Sequence, residues 1–304
     1  MNTTIMHSVS GKYFDTINTI TAPYEEGILQ AAMDRCAYYN NLLSKTVPGS
    51  DVWNCNHAGG KPVEVSQHTA KILALALEMN KNSGGAFNIA IGNAIALWHF
   101  TDGSAIIPDP TVLKDAAQKA DCSRIRLEGH TVTVPEEMQI DLGGIAKGYI
   151  ADRIADELRA AGVKHALLNF GGNIVTVGTK PDGAPWRIGL QTPGGERGKD
   201  FWAYVPSVDG TLVTSGVYER SFEKDGVLYH HILDPRTGFP VQNDILTVTA
   251  ICKDSLLADA ITTALFVLGP DLGFRLAAYY DVAAVYLQRN GQVAYTPGLD
   301  LAFA

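Results

Sequence analysis

The chain has 304 residues and a formal net charge of -8, from 24 Lys+Arg against 32 Asp+Glu. That balance argues against nucleic-acid binding, which draws its affinity from basic stripes. With 46% hydrophobic and 18% charged residues, the chain can bury a large core, in one large domain or two ordinary ones, and is not disordered.

No run approaches the ~18 uninterrupted apolar residues of a membrane span, and Met1 to Ser10 carries His7, Ser8 and Thr/Asn residues in place of an apolar signal core. The sequence therefore reads as a soluble, cytoplasmic protein, with export after removal of a signal as the alternative. Cys36, Cys55, Cys122 and Cys252 form no C-x-x-C pair and read as reduced thiols.

Pro23 precedes an amphipathic run, Tyr24 to Leu43, that predicts a helix with proline in its first turn. The stretch 44–61, with Pro48, Gly49, Ser50 and Gly59-Gly60, reads as a polar loop. Ser66 has the character of an N-cap for a second helix carrying Ile72, Leu73, Leu75, Ala76 and Leu77, stopped by Ser83-Gly84-Gly85. Asp109-Pro110 opens a third helix, Thr111 to Lys119, and 124–127 with 131–134 form a hairpin around Glu128-Gly129. A helix from Tyr149 to Ala161 ends at Gly162. Strands follow at 166–170, 173–178, 186–191, 201–206 and 211–215, then a hairpin around Asp225-Gly226 and a strand at 246–252. A helix from Ser255 to Leu268 closes at Gly269-Pro270, a shorter one runs to Tyr280, and Asn290-Gly291 turns a last hairpin. Strands gathered in the second half with helices grouped around them imply an α+β fold.

Three segments carry the residue types of chemistry. Asp141-Leu-Gly-Gly144-Ile-Ala-Lys147-Gly148 is a glycine-rich turn with one lysine leading into a helix, where free N–H groups and an ammonium suit a phosphate. It matches neither a Walker A loop nor G-x-G-x-x-G. Asp259 and Thr263 are i and i+4 on the helix opened by Ser255, and stacked oxygen donors suit Mg²⁺; the bland alternative is an acid favouring the helix dipole and a threonine bonding its own backbone. His230-His231-Ile-Leu-Asp234-Pro-Arg-Thr-Gly238 ends the strand begun after Gly226. Alternation puts His231 on the face of Tyr229 and Leu233, and the turn can bring Asp234 beside the imidazole as the orienting partner of a general base. Leu97-Trp98-His99-Phe100 can wall a flat aromatic ligand or be core.

In this order, these segments resemble the ApbE family of FAD:protein FMN transferases. The resemblance is carried by Leu43-Ser44 with Pro48-Gly-Ser-Asp51 and Asn56, Gly84-Gly-Ala-Phe87-Asn88, Leu97-Trp98, Asp141-Leu-Gly-Gly-Ile-Ala-Lys-Gly, Asn169-Phe-Gly-Gly-Asn173, Trp186-Arg-Ile, Thr214-Ser-Gly-Val-Tyr218, His231-Ile-Leu-Asp-Pro-Arg-Thr-Gly238 and Ala258-Asp-Ala-Ile-Thr-Thr-Ala264. It implies antiparallel sheets surrounded by helices, T-fold-like, in a single catalytic unit spanning 1–304. It also implies transfer of FMN from FAD to a Thr or Ser hydroxyl of a target flavoprotein, with Mg²⁺ required and AMP released. An FAD pyrophosphatase or a noncatalytic FAD-binding protein is the alternative. By the same resemblance Ala86, Phe87, Asn88, Asp141, Lys147 and Thr262 contact FAD, the Gly144 carbonyl, Asp259 and Thr263 hold the metal, and His231 with Asp234 is catalytic. Thr46 stands where many members carry a tyrosine that packs on the cofactor, Asn88 where aspartate is more frequent, and Phe14-Asp15-Thr16 in place of the usual Met-Gly-Thr.

Overall fold

A computed structural model describes residues 5–100 and 102–304. Met1 to Thr4, part of the stretch read above for a signal core, lie outside the described residues. The strands are β1 (His7–Tyr13), β2 (Thr16–Ala22), β3 (Val63–Glu64), β4 (Arg126–Glu128), β5 (Thr131–Thr133), β6 (Ala166–Phe170), β7 (Asn173–Val177), β8 (Trp186–Gln191), β9 (Phe201–Ser207), β10 (Thr211–Gly216), β11 (Ser221–Lys224), β12 (Val227–His230), β13 (Ile245–Cys252), β14 (Ala283–Gln288), β15 (Val293–Tyr295) and β16 (Ala302–Phe303). The helices are α1 (Glu26–Leu43), α2 (Asp51–His57), α3 (Gln67–Asn82), α4 (Gly92–Ile95), α5 (Pro110–Gln118), α6 (Ala146–Ala160) and α7 (Ser255–Tyr279).

Eight strands make one antiparallel sheet in the order β1-β2-β6-β7-β10-β13-β14-β15. Successive side chains of a strand point to opposite faces, and both faces of this sheet are covered. Val213 on β10 and Ala284 and Tyr286 on β14 face the main core, with Ile150 and Ile154 of α6 and Ile261 and Leu265 of α7. Leu212 and Val285, one residue out of step, face a smaller core with Trp186, Ile188 and Leu190 of β8 and Ala203 and Val205 of β9. The second layer on that face is the three-stranded sheet β16-β9-β8. A third cluster gathers Ile91, Ala94, Trp98, Leu113, Ala116 and Leu233, with Phe222 and Tyr229 of the separate ribbon β11-β12 packed on it. This is the expected α+β arrangement of antiparallel sheets and helices.

Local signals fix most element ends. Ser66 Oγ accepts from Thr69 N, Asp109 from Thr111 and Val112 N, and Asp254 from Leu257 N, capping α3, α5 and α7. Gly269, at φ 74°, breaks α7 before Pro270, where two helices were expected. By length and composition α7 is apolar enough to cross a membrane; here its buried residues pack in the main core.

Four differences from expectation stand out. The polar stretch 44–61 contains α2, capped by Ser50, whose Oγ accepts from Trp53 N. The hairpin β1-β2 was not anticipated; it turns on Phe14 and Asp15, at φ 56° and 58°, the two left-handed residues a tight two-residue turn needs. Helix α6 begins at Ala146 instead of Tyr149, so Lys147 and Gly148 belong to its first turn. Strand β12 stops at His230, so His231 lies beyond the strand and the alternation argument does not govern it.

Candidate active site

The glycine-rich turn is tied down from three sides. Asn56 accepts from Ile140 N (2.8 Å) and donates to Ile140 O (3.0 Å), gripping the backbone immediately before Asp141. Asp141 N donates to Ile89 O (2.8 Å), laying the turn beside the Ala86-Phe87-Asn88 segment. The Asp141 carboxylate accepts from Gly143 N (2.7 Å) and from Lys45 Nζ (2.6 Å). Lys45, 96 residues away in sequence, carried no local signal; Thr46 beside it is exposed, with its amide on Ser44 Oγ.

Helices α6 and α7 meet directly after this turn. A Cβ at Gly148 would lie 2.0 Å from Ser255 O and 2.7 Å from Asp259 Cβ, so only glycine lets the two backbones come this close. Gly148 N donates to Asp259 Oδ2 (2.9 Å), and Lys147 Nζ lies 3.3 Å from Asp259 Oδ1 and 3.2 Å from Gly143 O. The Asp259 side chain is only 6% exposed, and a buried carboxylate needs such a counter-charge and donors. One turn on, Thr263 Oγ1 lies 3.4 Å from the point where a Cβ on Gly144 would sit, and the Phe87 ring 3.5 Å from it. The helix pair is anchored further by Asp152, whose carboxylate accepts from Ser255 N (3.1 Å) and Leu256 N (3.0 Å) at the start of α7. Burial pushes the Asp152 carboxyl up to about 7, reinforced by the Asp254 charge.

Gly144, Asp259 and Thr263, the residues expected to hold a metal, thus lie along the same contact of the turn with α7. An all-oxygen set with one carboxylate fits Mg²⁺, which keeps waters and takes phosphate oxygens as further ligands. Among the described residues no three His, Cys, Asp or Glu side chains cluster as a metal cage. In this structure the Lys147 ammonium is the cation on Asp259.

The base side is built differently. The carbonyl of Arg220 accepts from His231 N (3.1 Å) and lies 3.3 Å from His231 Nδ1. A carbonyl only accepts, so Nδ1 carries the proton and Nε2 is left with the lone pair. Burial pushes His231 down to about 4, with the charges of Arg220, His230 and Lys147 adding to it and the bond to the Arg220 carbonyl opposing. His231 is thus neutral at pH 7. Its neighbour His230 faces away, with Nε2 3.1 Å from Val241 O.

Asp234 does not orient His231, contrary to expectation. Its carboxylate takes Arg236 in a fork, with Nε at 2.9 Å and Nη2 at 2.7 Å, and also accepts Arg236 N (2.9 Å). Burial acts to raise this carboxyl, but the bonds and charge of Arg236 outweigh it and hold it below the ordinary range. The D-P-R-T-G turn is closed by its own arginine, and the orienting acceptor comes from Arg220, 11 residues earlier. The turn's far end is held by Trp98 Nε1–H on Gly238 O (2.8 Å). Trp98 stacks on Phe100 at 5.1 Å and is buried, so this pair is core and does not wall a ligand.

Two further residues are engaged elsewhere. The Asn88 amide donates to Ala120 O (2.7 Å) and accepts from Ala90 N (2.8 Å) and Cys122 Sγ (3.0 Å). Thr262 is fully buried with its hydroxyl on Asp259 O (2.9 Å), the back-bond of a helical threonine. Both contribute to holding the walls: the Thr262 hydroxyl is spent on the backbone, and of the two N–H groups of the Asn88 amide one is taken by Ala120 O.

The family model that matches this chain is that of the ApbE family, over residues 1–286. Among curated proteins, an FAD:protein FMN transferase of Treponema pallidum is 42% identical over 260 residues, which is 80% of this chain and 71% of that protein. One from Klebsiella pneumoniae is 36% identical over 289 residues, 92% of this chain and 88% of that protein. Among solved structures, the ApbE protein of Thermotoga maritima superposes with a TM-score of 0.87 at 28% identity, covering 96% of this chain and 97% of that one. The flavinyl transferase ApbE of Pseudomonas stutzeri gives 0.82 at 28%, covering 96% and 95%.

Proposed function

The chain belongs to the ApbE family and is an FAD:protein FMN transferase, and we propose that it moves FMN from FAD onto a Thr or Ser hydroxyl of a target flavoprotein, with Mg²⁺ bound and AMP leaving. The observation that carries the reading is the meeting of a glycine-rich turn and an acid on a facing helix around one cation, Lys147, in a chain that also holds a histidine with its Nε2 lone pair free.

The residues divide the work. Ala86 and Phe87 stand against the turn, where Phe87 lies beside Gly144 and offers an apolar wall to the dinucleotide. Asp141, fixed by Lys45, holds the turn open in one conformation. Gly144 O, Asp259 and Thr263 would hold Mg²⁺, which when bound supplies charge neutralisation at the pyrophosphate. Lys147 faces the same oxygens. His231, with Nδ1 donating to Arg220 O, keeps Nε2 free to take the proton of the acceptor hydroxyl. The hydroxyl oxygen forms a bond to the flavin-side phosphorus, the bridging P–O bond breaks, and AMP departs with that electron pair.

The test incubates the chain with FAD, Mg²⁺ and a flavoprotein domain bearing an accessible Thr or Ser. A fluorescent acceptor band with a covalent FMN mass increment is expected. FMN and AMP released with the acceptor unlabelled would instead make this an FAD pyrophosphatase, and bound FAD left intact a noncatalytic binder. Asp259→Ala should raise the Mg²⁺ concentration needed by about tenfold or more, and an unaltered Mg²⁺ titration would remove Asp259 from the ligand set.

A further inference from the structure

The segment 44–57 grips the approach to the glycine-rich turn at two points. Asn56 of α2 holds the backbone of Ile140, and Lys45 Nζ meets Asp141 Oδ2 at 2.6 Å. Lys45 is no loose surface lysine. Its backbone is set by Ser44, whose Oγ accepts from Thr46 N (3.1 Å) and Val47 N (3.3 Å) and whose carbonyl accepts from Ser50 Oγ, the cap of α2. The Asp141 side chain it meets is 12% exposed, which separates this pair from exposed ion pairs of little effect. From Asp141 the contacts continue across the turn. Asp141 Oδ1 accepts from Gly143 N (2.7 Å), Gly143 O accepts from Lys147 Nζ (3.2 Å), and Lys147 Nζ lies 3.3 Å from Asp259 Oδ1. A Cβ on Gly143 would lie 2.9 Å from Asp141 Oδ1, so the carboxylate fills the space that a side chain would take. Gly143 and Gly144 have no side chain to fix them, and the contacts of their peptide groups decide the shape of the turn.

We propose that Lys45 is a positioning residue for Lys147: by fixing the Asp141 carboxylate it sets the Gly143 peptide, and through it the place at which the Lys147 ammonium meets the diphosphate of FAD. This deepens the reading above and rests on it. Two physical arguments support it. At 2.6 Å the Lys45–Asp141 contact is at the short end of charge-assisted hydrogen bonds, and it holds Oδ2 so that Oδ1 faces Gly143 N. Without Lys45 the Asp141 carboxylate, little exposed, would lack a counter-charge, and the other ammonium bound to the same turn is that of Lys147. Lys147 would then be drawn towards Asp141, away from Asp259 and from the phosphates. Lys45 thus occupies one acid of the site so that Lys147 serves the other.

The experiment measures ADP affinity by calorimetry, with Mg²⁺ present, for the full-length wild type and for Lys45→Met, Lys45→Arg, Lys147→Gln and Asp141→Asn. Two double variants add Lys45→Met to Lys147→Gln and to Asp141→Asn. Transfer kinetics give kcat and KM for FAD, and thermal melts report stability. Lys45→Met should weaken ADP about fivefold to tenfold and raise KM for FAD by a similar factor, with kcat lowered less, and Lys45→Arg should recover most of that loss. In the Lys147→Gln and Asp141→Asn backgrounds Lys45→Met should change ADP affinity by less than about twofold, since residues that act through one another are not additive. An ADP affinity unchanged by Lys45→Met would overturn the proposal. So would the full loss recurring in either background, because Lys45 would then reach the nucleotide by itself or act through the fold alone. A lowered melting temperature with kcat and affinity lost alike, and no recovery in Lys45→Arg, is what a purely structural lysine predicts and would overturn it too. A wild type that binds neither FAD nor ADP would instead bring down the transferase site as a whole, an outcome separate from the others.

Discussion

The site has two halves, and they are held by different physics. On the α6-α7 side, position comes from backbone contact: Gly148 lies against Ser255 O, Gly148 N bonds Asp259, and Asp152 caps α7. On the His231 side, position comes from a turn and an aromatic cluster: Arg220 O, the Asp234–Arg236 fork, and Trp98 on Gly238 O. The first half has no slack, since two helix backbones in contact leave no side chain to adjust. The second can yield by rotamer and turn adjustments. The half proposed to hold the metal is thus the more rigid of the two, as electrostatic preorganisation requires, and the half proposed to move a proton is the more adaptable.

The contrast is sharpest at His231. His231→Ala should lower transfer by about 10²- to 10⁴-fold while leaving FAD affinity and the Mg²⁺ titration as they were. Steady-state labelling of an acceptor checks the rate, and flavin-fluorescence titration checks binding; a parallel loss of FAD affinity would merge the two halves into one. Gly148→Ala attacks the other half. The added methyl meets Ser255 O at 2.0 Å, and driving the helices apart should cost about 3 kcal/mol, measured by denaturant unfolding, with metal and FAD binding lost together. A variant as stable as wild type would show that the α6-α7 contact has room.

The smallest expected effect is on acid stability, where the halves differ in sign. His230 and His231, pushed down to about 4 mainly by burial, bind protons in the unfolded chain that the fold refuses. They therefore withdraw stability as pH falls from about 6.5 towards 4. Asp152, pushed up to about 7, holds a proton in the fold that the unfolded chain has released, so its contribution is lost as pH rises from about 4 to 7. Asp152→Asn removes only the second, opposing effect, so its melting temperature should fall more steeply with acid than that of wild type. The difference is at most about 1.4 kcal/mol per pH unit. Superimposable pH profiles would show that Asp152 does not titrate in this window.

Much of this architecture was legible in the amino-acid sequence, because most of the elements announce themselves locally. Ser66, Asp109 and Gly269-Pro270 mark helix ends by caps and breakers, and Asp225-Gly226 marks a hairpin. The convergence of the 141–148 turn with Asp259 and Thr263 was anticipated only through the ordered motifs, since pairs over a hundred residues apart leave no periodic trace. Where expectation failed, a nearer partner had won. Asp234 was offered to His231 by proximity in sequence, but Arg236, two residues on, closes the turn first. Asn88 and Thr262 carry polar groups whose backbone partners, Ala120 O and Asp259 O, no sequence pattern announced. Lys45 was missed because a charge on a loop carries no pattern, and Arg220 because it acts through a backbone carbonyl that its side chain does not announce. The β1-β2 hairpin did carry one: Val9, Ile20 and Ala22 alternate with polar neighbours on either side of Tyr13-Phe-Asp-Thr16, whose turn lacks the usual glycine.

The layer on the far face of the main sheet keeps one link to the candidate base. Strands β8 and β9 cover the face away from α6 and α7, and the connection between them, 192–200, is stitched to itself by Gln191, Thr192 and Asp200. From within it Arg197 pairs with Glu219 at 3.4 Å, next to the residue whose carbonyl holds His231, so a reporter dye introduced there would sense the base side of the site. That connection is a place to listen to the reaction, and a poor one for fastening the molecule to a support.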